Sequence, residues 1–250
     1  MMIFYLVSSK RMAEFVPAPL EVAEVLPGVT LGGLYAAFYE TGDFGALSEF
    51  SVSPALVRYK HKRGFYIPYS MTQAEEGLAQ SKGAWGLKKK CARFHWEKQP
   101  SRWTLHVVCD GKEITKIGLR TGAVSFPMRV GFSFFHLRPN GVFSYHADYT
   151  SRVRIASSAV TIPEDSPLAA YQFRRKLITT AWESTKIVLH APESEKKIVF
   201  AEGASEGIFL VGEDRNPVCG LKKGAEERMP WPPPSRECAW NGVGPGRREF

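Results

Sequence analysis

Three consecutive lysines, Lys88, Lys89 and Lys90, stand in the stretch "SKGAWGLKKKCA", between residues that are small or apolar. A lysine amine attacks a carbonyl carbon only when it is neutral, and at an ordinary pKa near 10.4 only about one amine in 2,500 is neutral at pH 7. Burial and a neighbouring cation both lower that pKa. A decrease of about 4 units, equivalent to roughly 5 kcal/mol, makes most of the amine nucleophilic. The pattern therefore indicates either a solvated basic surface, the commoner outcome for such runs, or an activated amine.

The segments that would position such an amine are short and β-like. Up to about residue 190, runs such as "WTLHVVC", "EITKIGLR" and "MRVGFSFFHLR" are rich in Val, Ile, Phe, Tyr and Thr, and several alternate between apolar and polar residues. The stretches "DGK" and "RPNG" are typical of hairpin turns. The sequence predicts a mainly β protein of the α+β kind, built on an antiparallel, barrel-like sheet.

Helix is scarce, and two segments have helical spacing. They are residues 71–81 and residues 164–178. The second has Asp165 or Ser166 as its N-cap and Pro167 at its first helical position. We expect these few helices to cover the sheet.

The last sixty residues differ from the rest of the chain. Residues 191–250 begin with a possible hairpin and continue with Pro, Gly and charged residues that show no periodicity. Such a composition predicts disorder. The expected organisation is therefore one domain over residues 1–190, followed by a C-terminal extension over residues 191–250.

The composition places the chain among globular proteins. It has 250 residues, 44% of them hydrophobic, and a net charge of +8 whose basic excess lies in the first 190 residues. The four cysteines show no C-x-x-C spacing, which argues against a disulfide framework or a zinc site and favours a reducing, cytoplasmic setting. The apolar start "MMIFYLVSS" lacks the features of a signal peptide, and no apolar run is long enough to span a membrane.

Three other patterns suggest chemistry but have a simpler interpretation. The stretch "GASEG" would make Ser205 a hydrolase nucleophile, yet a strand-like segment follows it and the last histidine, His190, precedes it, so a glycine-rich turn fits better. The six histidines include no H-x-x-x-H pair, and no metal site is predicted. The basic turn "YKHKRGF" resembles a phosphate-binding loop, but no nucleic-acid-binding signature accompanies it, so we expect no nucleic-acid partner.

The lysine motif resembles one known family. "AWGLKKKCA" is similar to the W-G-F-P-K-K-L-A motif of the acetoacetate decarboxylase family: Trp85 matches, Leu87 replaces the aromatic residue, Lys88 replaces the proline, and Lys89 and Lys90 fall on the catalytic lysine pair. "EFVPAPLEV", "GALSEFSVSPALV" and "LITTAWESTKIVLH" resemble further family segments, so the resemblance covers about residues 2 to 190. Acetoacetate decarboxylase itself is the established example of a lysine that is activated by an adjacent cation.

The resemblance implies an acetoacetate-decarboxylase-like fold, a homo-oligomer and a Schiff-base enzyme that needs no metal or organic cofactor. It implies that Lys89 is the nucleophile and that Lys90 is the neighbouring charge that keeps it neutral. Glu49 would orient the substrate or move a proton. Trp85 and Leu87 are the implied substrate-binding residues.

Two departures from the family pattern keep several functions open. The family's arginine just before its first strand has no counterpart in this sequence, and a second acidic position of the family aligns with Leu34. The expected function is a carboxy-lyase that decarboxylates a β-keto acid resembling acetoacetate, through a lysine imine and an enamine. The alternatives are a lysine-imine aldolase or dehydratase acting on an α-keto acid, and a non-catalytic relative that binds a small molecule or a polyanion.

Overall fold

The computed structural model describes residues 1–41, 46–73, 89–138, 141–190 and a short strand at 193–194. The strands among these residues join into one sheet of fourteen members. In chain order they are β1 (Met2–Ser8), β2 (Glu21–Val22), β3 (Val29–Tyr39), β4 (Leu47–Ser53), β5 (Leu56–Tyr59), β6 (Lys62–Tyr66), β7 (Tyr69–Thr72), β8 (Lys89–Cys91), β9 (Arg93–Gln99), β10 (Arg102–Cys109), β11 (Lys112–Arg138), β12 (Gly141–Thr161), β13 (Arg175–Leu189) and β14 (Glu193–Ser194). Apart from β14, the predicted extension over residues 191–250 lies outside the described residues.

The order of the strands in the sheet follows the chain only in part. From one edge it reads β2, β5, β6, β11, β12, β13, β1, β3, β4, β7 and β8, while β10 pairs with β11 and β9, and β14 pairs with β12. In the described sheet, the β6–β11 and β7–β8 pairings are parallel and the other strand pairings are antiparallel. The mainly antiparallel, curled sheet with few helices confirms the predicted fold class.

A local turn signal in the sequence explains one of the hairpins. Asp110 and Gly111 separate β10 from β11, and both have positive φ angles, of 51° and 75°. A two-residue hairpin turn of this kind requires positive φ, which Gly adopts readily and Asp tolerates. The turn predicted from "DGK" is therefore confirmed. This turn sets the register in which Cys109 lies opposite Lys112.

Alternation along the strands divides the side chains between two faces of the sheet. The core face carries the large buried cluster, whose enclosed members include Tyr5, Phe50, Met71, Leu105 and Phe135. The site face carries a smaller cluster of Met2, Ala147 and Tyr149, with Tyr35 and Trp182 among the side chains packed against it. Because apolar burial stabilises a fold by about 25 cal/mol per Å², the core face holds the sheet together. The site face is left to accommodate polar groups.

The helical elements are shorter than the sequence predicts. A single α-helical turn, α1 (Ser9–Met12), follows β1 and is capped by Ser8, whose hydroxyl accepts a hydrogen bond from the backbone N–H of Arg11. A 3₁₀ turn follows at Ala13–Phe15.

The predicted helix over residues 164–178 is wrong beyond its first turn. Ser166 does cap it, but the element is a 3₁₀ turn, Pro167–Tyr171, which ends where Gln172 adopts a left-handed φ of 48°. The residues from Arg175 onward join the sheet between β1 and β12 instead. Tertiary pairing here overrides the helical spacing. The other predicted helix, residues 71–81, begins in strand β7, and its residues from 74 onward lie outside the described part.

Within the described part of the chain, every helix is too short to cross a lipid bilayer.

The parallel contact between β6 and β11 depends on Gly64. A Cβ added at Gly64 would collide with the backbone carbonyl of Ser133 and lie 2.8 Å from Cε2 of Phe135. We expect Gly64→Ala to lower the free energy of unfolding by about 1–3 kcal/mol, as overpacking does. The measurement is urea denaturation.

Gly118→Ala is the matched control for this prediction. Gly118 is also a strand glycine, but the nearest atom to an added Cβ is 4.0 Å away. Because glycine weakens a strand interior relative to alanine, this variant should be as stable as the wild type or more so. Equal effects of the two substitutions would contradict the role assigned to Gly64.

Candidate active site

Three neighbouring strands bring Lys89 and Glu49 together. In the antiparallel β4–β7 pair Glu49 lies opposite Thr72, and in the parallel β7–β8 pair Ser70 is the partner of Lys89. Paired residues project from the same face of a sheet, and residues two apart on a strand share a face. The side chains of Lys89 and Glu49 therefore both leave the sheet on the site face.

The amine of Lys89 and the carboxylate of Glu49 are in direct contact. Nζ of Lys89 lies 3.3 Å from Oε1 of Glu49, and the two side chains retain only 12% and 16% of their exposure. A charge removed from water is strongly unfavourable unless an opposite charge compensates it. The carboxylate provides that compensation, and it is close enough to exchange a proton directly with the amine.

Lys90 occupies the other face of the sheet. It follows Lys89 in the same strand, and its partner on β7 is Met71, a fully buried member of the core face. Burial lowers the pKa of Lys90, while the nearby Cys109 and Asp110 act in the opposite direction. The resemblance implies that the two lysine amines are direct neighbours, but the two-residue period of a strand places them on opposite faces. Any effect of Lys90 on the Lys89 amine must act across the sheet, and its catalytic role stays a prediction.

Glu49 is also the end of a chain of hydroxyl groups. The hydroxyl of Tyr39 donates to Oε2 of Glu49 at 3.3 Å and lies 2.7 Å from the hydroxyl of Tyr35. The hydroxyl of Ser51 donates to Oε1 at 3.3 Å. The β3–β4 register explains this arrangement, because Ala37 lies opposite Glu49 and the two tyrosines flank it at two-residue spacing. Both carboxylate oxygens are thus held by hydroxyl donors.

Four buried tyrosines lie close enough to Glu49 for its negative charge to affect their pKa values. Burial of the hydroxyl groups is the main cause that raises the pKa of each of them, and the negative charge of Glu49 raises it further. The four are Tyr35, Tyr39, Tyr145 and Tyr149. Because a phenol with a raised pKa stays neutral, these hydroxyls remain hydrogen-bond donors across the physiological pH range.

The structure brings together some of the residues that the sequence analysis selected. Lys89 and Glu49 are in contact, and their catalytic roles stay predictions. Trp85 and Leu87, the implied substrate-binding residues, lie outside the described residues. Leu34, which aligned with a second acidic position of the family, is 3% exposed on the core face and does not reach the site.

The sequence pattern alone did not indicate the polar residues that surround the pair. Tyr39 and Ser51 lie in segments from which the sequence predicts strands, and nothing local to those segments marks either residue as part of a site. A signal was nevertheless present, because in "LYAAFY" the two tyrosines fall on the same face, and Glu49 and Ser51 share a face in "SEFSVS". The missing information was the pairing of these strands, which a single sequence does not contain.

The described residues include no group of three or more His, Cys, Asp or Glu side chains arranged to hold a metal ion. Among the described residues, the groups that meet at the contact between Lys89 and Glu49 are an amine, a carboxylate and hydroxyls. This combination suits proton transfer and nucleophilic attack on a carbonyl group.

Comparison with known proteins shows the fold and the family of the chain. Among curated protein sequences, none matches the chain significantly. A crystal structure of acetoacetate decarboxylase from Legionella pneumophila is similar, with a TM-score of 0.60 and 14% identity over 77% of this chain and 82% of that chain. The enduracididine biosynthesis enzyme MppR complexed with pyruvate has a TM-score of 0.53 and 13% identity over 77% of this chain and 86% of that chain. These likenesses show a shared fold. The family model for acetoacetate decarboxylase matches residues 1–192, and the chain therefore belongs to the acetoacetate decarboxylase family.

Proposed function

We propose that this protein forms a Schiff base between Lys89 and the keto carbon of a β-keto acid and releases carbon dioxide from it. The observation that carries the proposal is the contact between a little-exposed lysine amine and a carboxylate. Family membership supports the same chemistry. Cytoplasmic location and homo-oligomeric assembly, which the sequence analysis suggested, stay predictions.

The reaction begins when Lys89 loses a proton. Glu49 accepts it, and the neutral Nζ attacks the keto carbon to form a carbon–nitrogen bond, while the carbonyl π electrons move to the oxygen. A proton then passes from the nitrogen to this oxygen, and the resulting carbinolamine loses water, with the proton for the leaving hydroxyl supplied by Glu49. The product is a protonated imine.

The protonated imine then acts as the electron sink for decarboxylation. The bond to the carboxylate breaks, its electrons move toward the imine nitrogen, and carbon dioxide leaves behind an enamine. Protonation of the enamine carbon and hydrolysis of the imine release the ketone and regenerate the amine. Tyr39 holds the Glu49 carboxylate through its hydroxyl, so that the carboxylate stays in reach of the amine through both proton transfers.

A second candidate keeps Lys89 and the imine but changes the outcome. A lysine imine of an α-keto acid becomes an enamine by losing a proton, and this enamine condenses with an aldehyde. The structural similarity to an enzyme complexed with pyruvate makes pyruvate the substrate to test.

Borohydride reduction distinguishes these outcomes on Lys89. Acetoacetate that has been decarboxylated should leave an N-isopropyl group on the lysine, whereas pyruvate should leave an N-(1-carboxyethyl) group. We expect peptide mass mapping to place the modification on Lys89 and Lys89→Ala to abolish it. Lys112→Ala is the control, because Lys112 is an exposed lysine in β11. A wild-type protein that traps no keto acid would contradict both enzymatic proposals.

Replacing Glu49 tests its part in proton transfer. Glu49→Gln keeps the shape of the side chain but removes the base, so we expect adduct formation to slow by about 100-fold or more. The control is Glu97→Gln, a change at a carboxylate whose side chain is 63% exposed. Trapping rates measured by intact-protein mass spectrometry provide the comparison, and an unchanged rate in Glu49→Gln would exclude Glu49 as the base.

Lys90→Met separates the two lysines of the motif. Met is uncharged and similar in length, and it suits the partly buried position of Lys90 on the core face. Since the two side chains leave opposite faces of the sheet, we expect the trapping rate at Lys89 to stay within about tenfold of the wild-type rate, a change of less than about 1.4 kcal/mol. A loss as complete as that of Lys89→Ala would instead show that the charge of Lys90 is essential.

A further inference from the structure

Two hydroxyl groups next to the candidate nucleophile are buried and have no hydrogen-bond partner among the residues that the structure describes. The side chains of Ser70 and Thr72 in β7 are both 0% exposed, and neither Oγ of Ser70 nor Oγ1 of Thr72 has a hydrogen-bond partner among the described residues. A buried hydroxyl that makes no hydrogen bond destabilises a fold, because it has lost its bonds to water. Two of them on adjacent positions of one face need an explanation.

The register places both hydroxyls between the amine and the carboxylate. On one side of β7, Thr72 lies opposite Glu49 and Ser70 lies opposite Ser51; on the other side, Ser70 is paired with Lys89. Residues paired in this way have Cβ atoms about 4.5–5.5 Å apart. Both hydroxyls therefore belong to the site face and border the two groups to which the proposed function assigns the chemistry.

Two other buried hydroxyls in the described part of the sheet, by contrast, are bonded. Oγ1 of Thr115 donates to the carbonyl of Thr161 at 3.0 Å, and Oγ of Ser53 donates to the carbonyl of Ala55 at 3.1 Å. The hydroxyls of Ser70 and Thr72, which have no hydrogen-bond partner among the described residues, thus differ from these bonded hydroxyls. Departures of this kind are expected where a ligand completes the hydrogen bonds.

We propose that Ser70 and Thr72 form a two-hydroxyl subsite that binds the keto oxygen of the substrate. This inference rests on the proposed function. When the neutral amine of Lys89 attacks, the carbonyl oxygen gains the π electrons and carries a developing negative charge. The two hydroxyls donate hydrogen bonds to that oxygen. It then takes a proton from the attacking nitrogen to become the carbinolamine hydroxyl, and it leaves as water with a second proton from Glu49. Donors that are already in place for a developing oxyanion lower the barrier to attack.

The chemistry of the subsite specifies which substrate atom it takes. Ser and Thr hydroxyls are uncharged donors and acceptors, and a carboxylate held beside Glu49 would be repelled by it. A ketone oxygen carries no formal charge before attack. It also lies one bond from the carbon that Nζ must reach, which matches the placement of Ser70 directly beside Lys89 in the register.

The test pairs each variant with a control that removes a satisfied hydroxyl. The variants are Ser70→Ala and Thr72→Val, and the controls are Ser53→Ala and Thr115→Val. We expect Ser70→Ala and Thr72→Val to melt at or above the wild-type temperature, because each removes an unsatisfied buried hydroxyl, and to form the borohydride-trapped acetoacetate adduct about 100-fold more slowly. The controls should melt at a lower temperature and trap at the wild-type rate. Thr72→Ser, which retains a hydroxyl, should recover most of the rate.

The outcomes separate this inference from the proposed function. Trapping by Ser70→Ala and Thr72→Val at the wild-type rate would overturn the subsite while leaving the Schiff-base proposal intact. A drop in melting temperature that matches the controls would also overturn it, because it would show that the hydroxyls are satisfied in the free protein. A wild-type protein that traps no keto acid overturns both proposals together.

Discussion

The contact between a lysine amine and Glu49 depends on the register of one short strand. β8 contains three residues, Lys89–Cys91, and its parallel pairing with β7 decides which of its two lysines shares a face with Glu49. A shift of one residue would exchange the faces, placing Lys89 against the core and Lys90 beside the carboxylate. The contact between Nζ of Lys89 and Oε1 of Glu49 therefore depends on the registers of two pairings, β4 with β7 and β7 with β8.

The core face of the sheet stabilises the fold, and the site face carries the polar groups of the candidate site. Met71 and Phe50 pack on the core face, within the large cluster of apolar side chains that stabilises the sheet. The residues that alternate with them on the same strands, Ser70, Thr72 and Glu49, face the other way. The rigid core thereby fixes the backbone that carries the reactive groups, which is how strands hold functional side chains more precisely than loops do.

The sequence indicated the residues of the candidate site better than it indicated their geometry. Lys89 and Glu49 could be selected because the lysine motif and the separation between the two residues resemble those of a known family. The face on which Lys90 lies follows from strand alternation and could have been predicted once β8 was recognised. Leu34, which aligns with an acidic position of the family, lies on the core face, whereas its neighbour Tyr35 faces the site. In a strand, an alignment error of one residue therefore assigns a side chain to the wrong face. The roles of Ser70, Thr72 and Tyr39 required strand pairings between distant segments, which local patterns do not specify.

The measurement that tests this account most directly is a crystal structure of the protein after borohydride reduction in the presence of acetoacetate. The account predicts a modified Lys89 whose Nζ remains on the site face, within hydrogen-bonding distance of Glu49, with Lys90 unmodified on the core face. A modification on Lys88 or Lys90, or a modified Lys89 that points away from Glu49 into solvent, would contradict it.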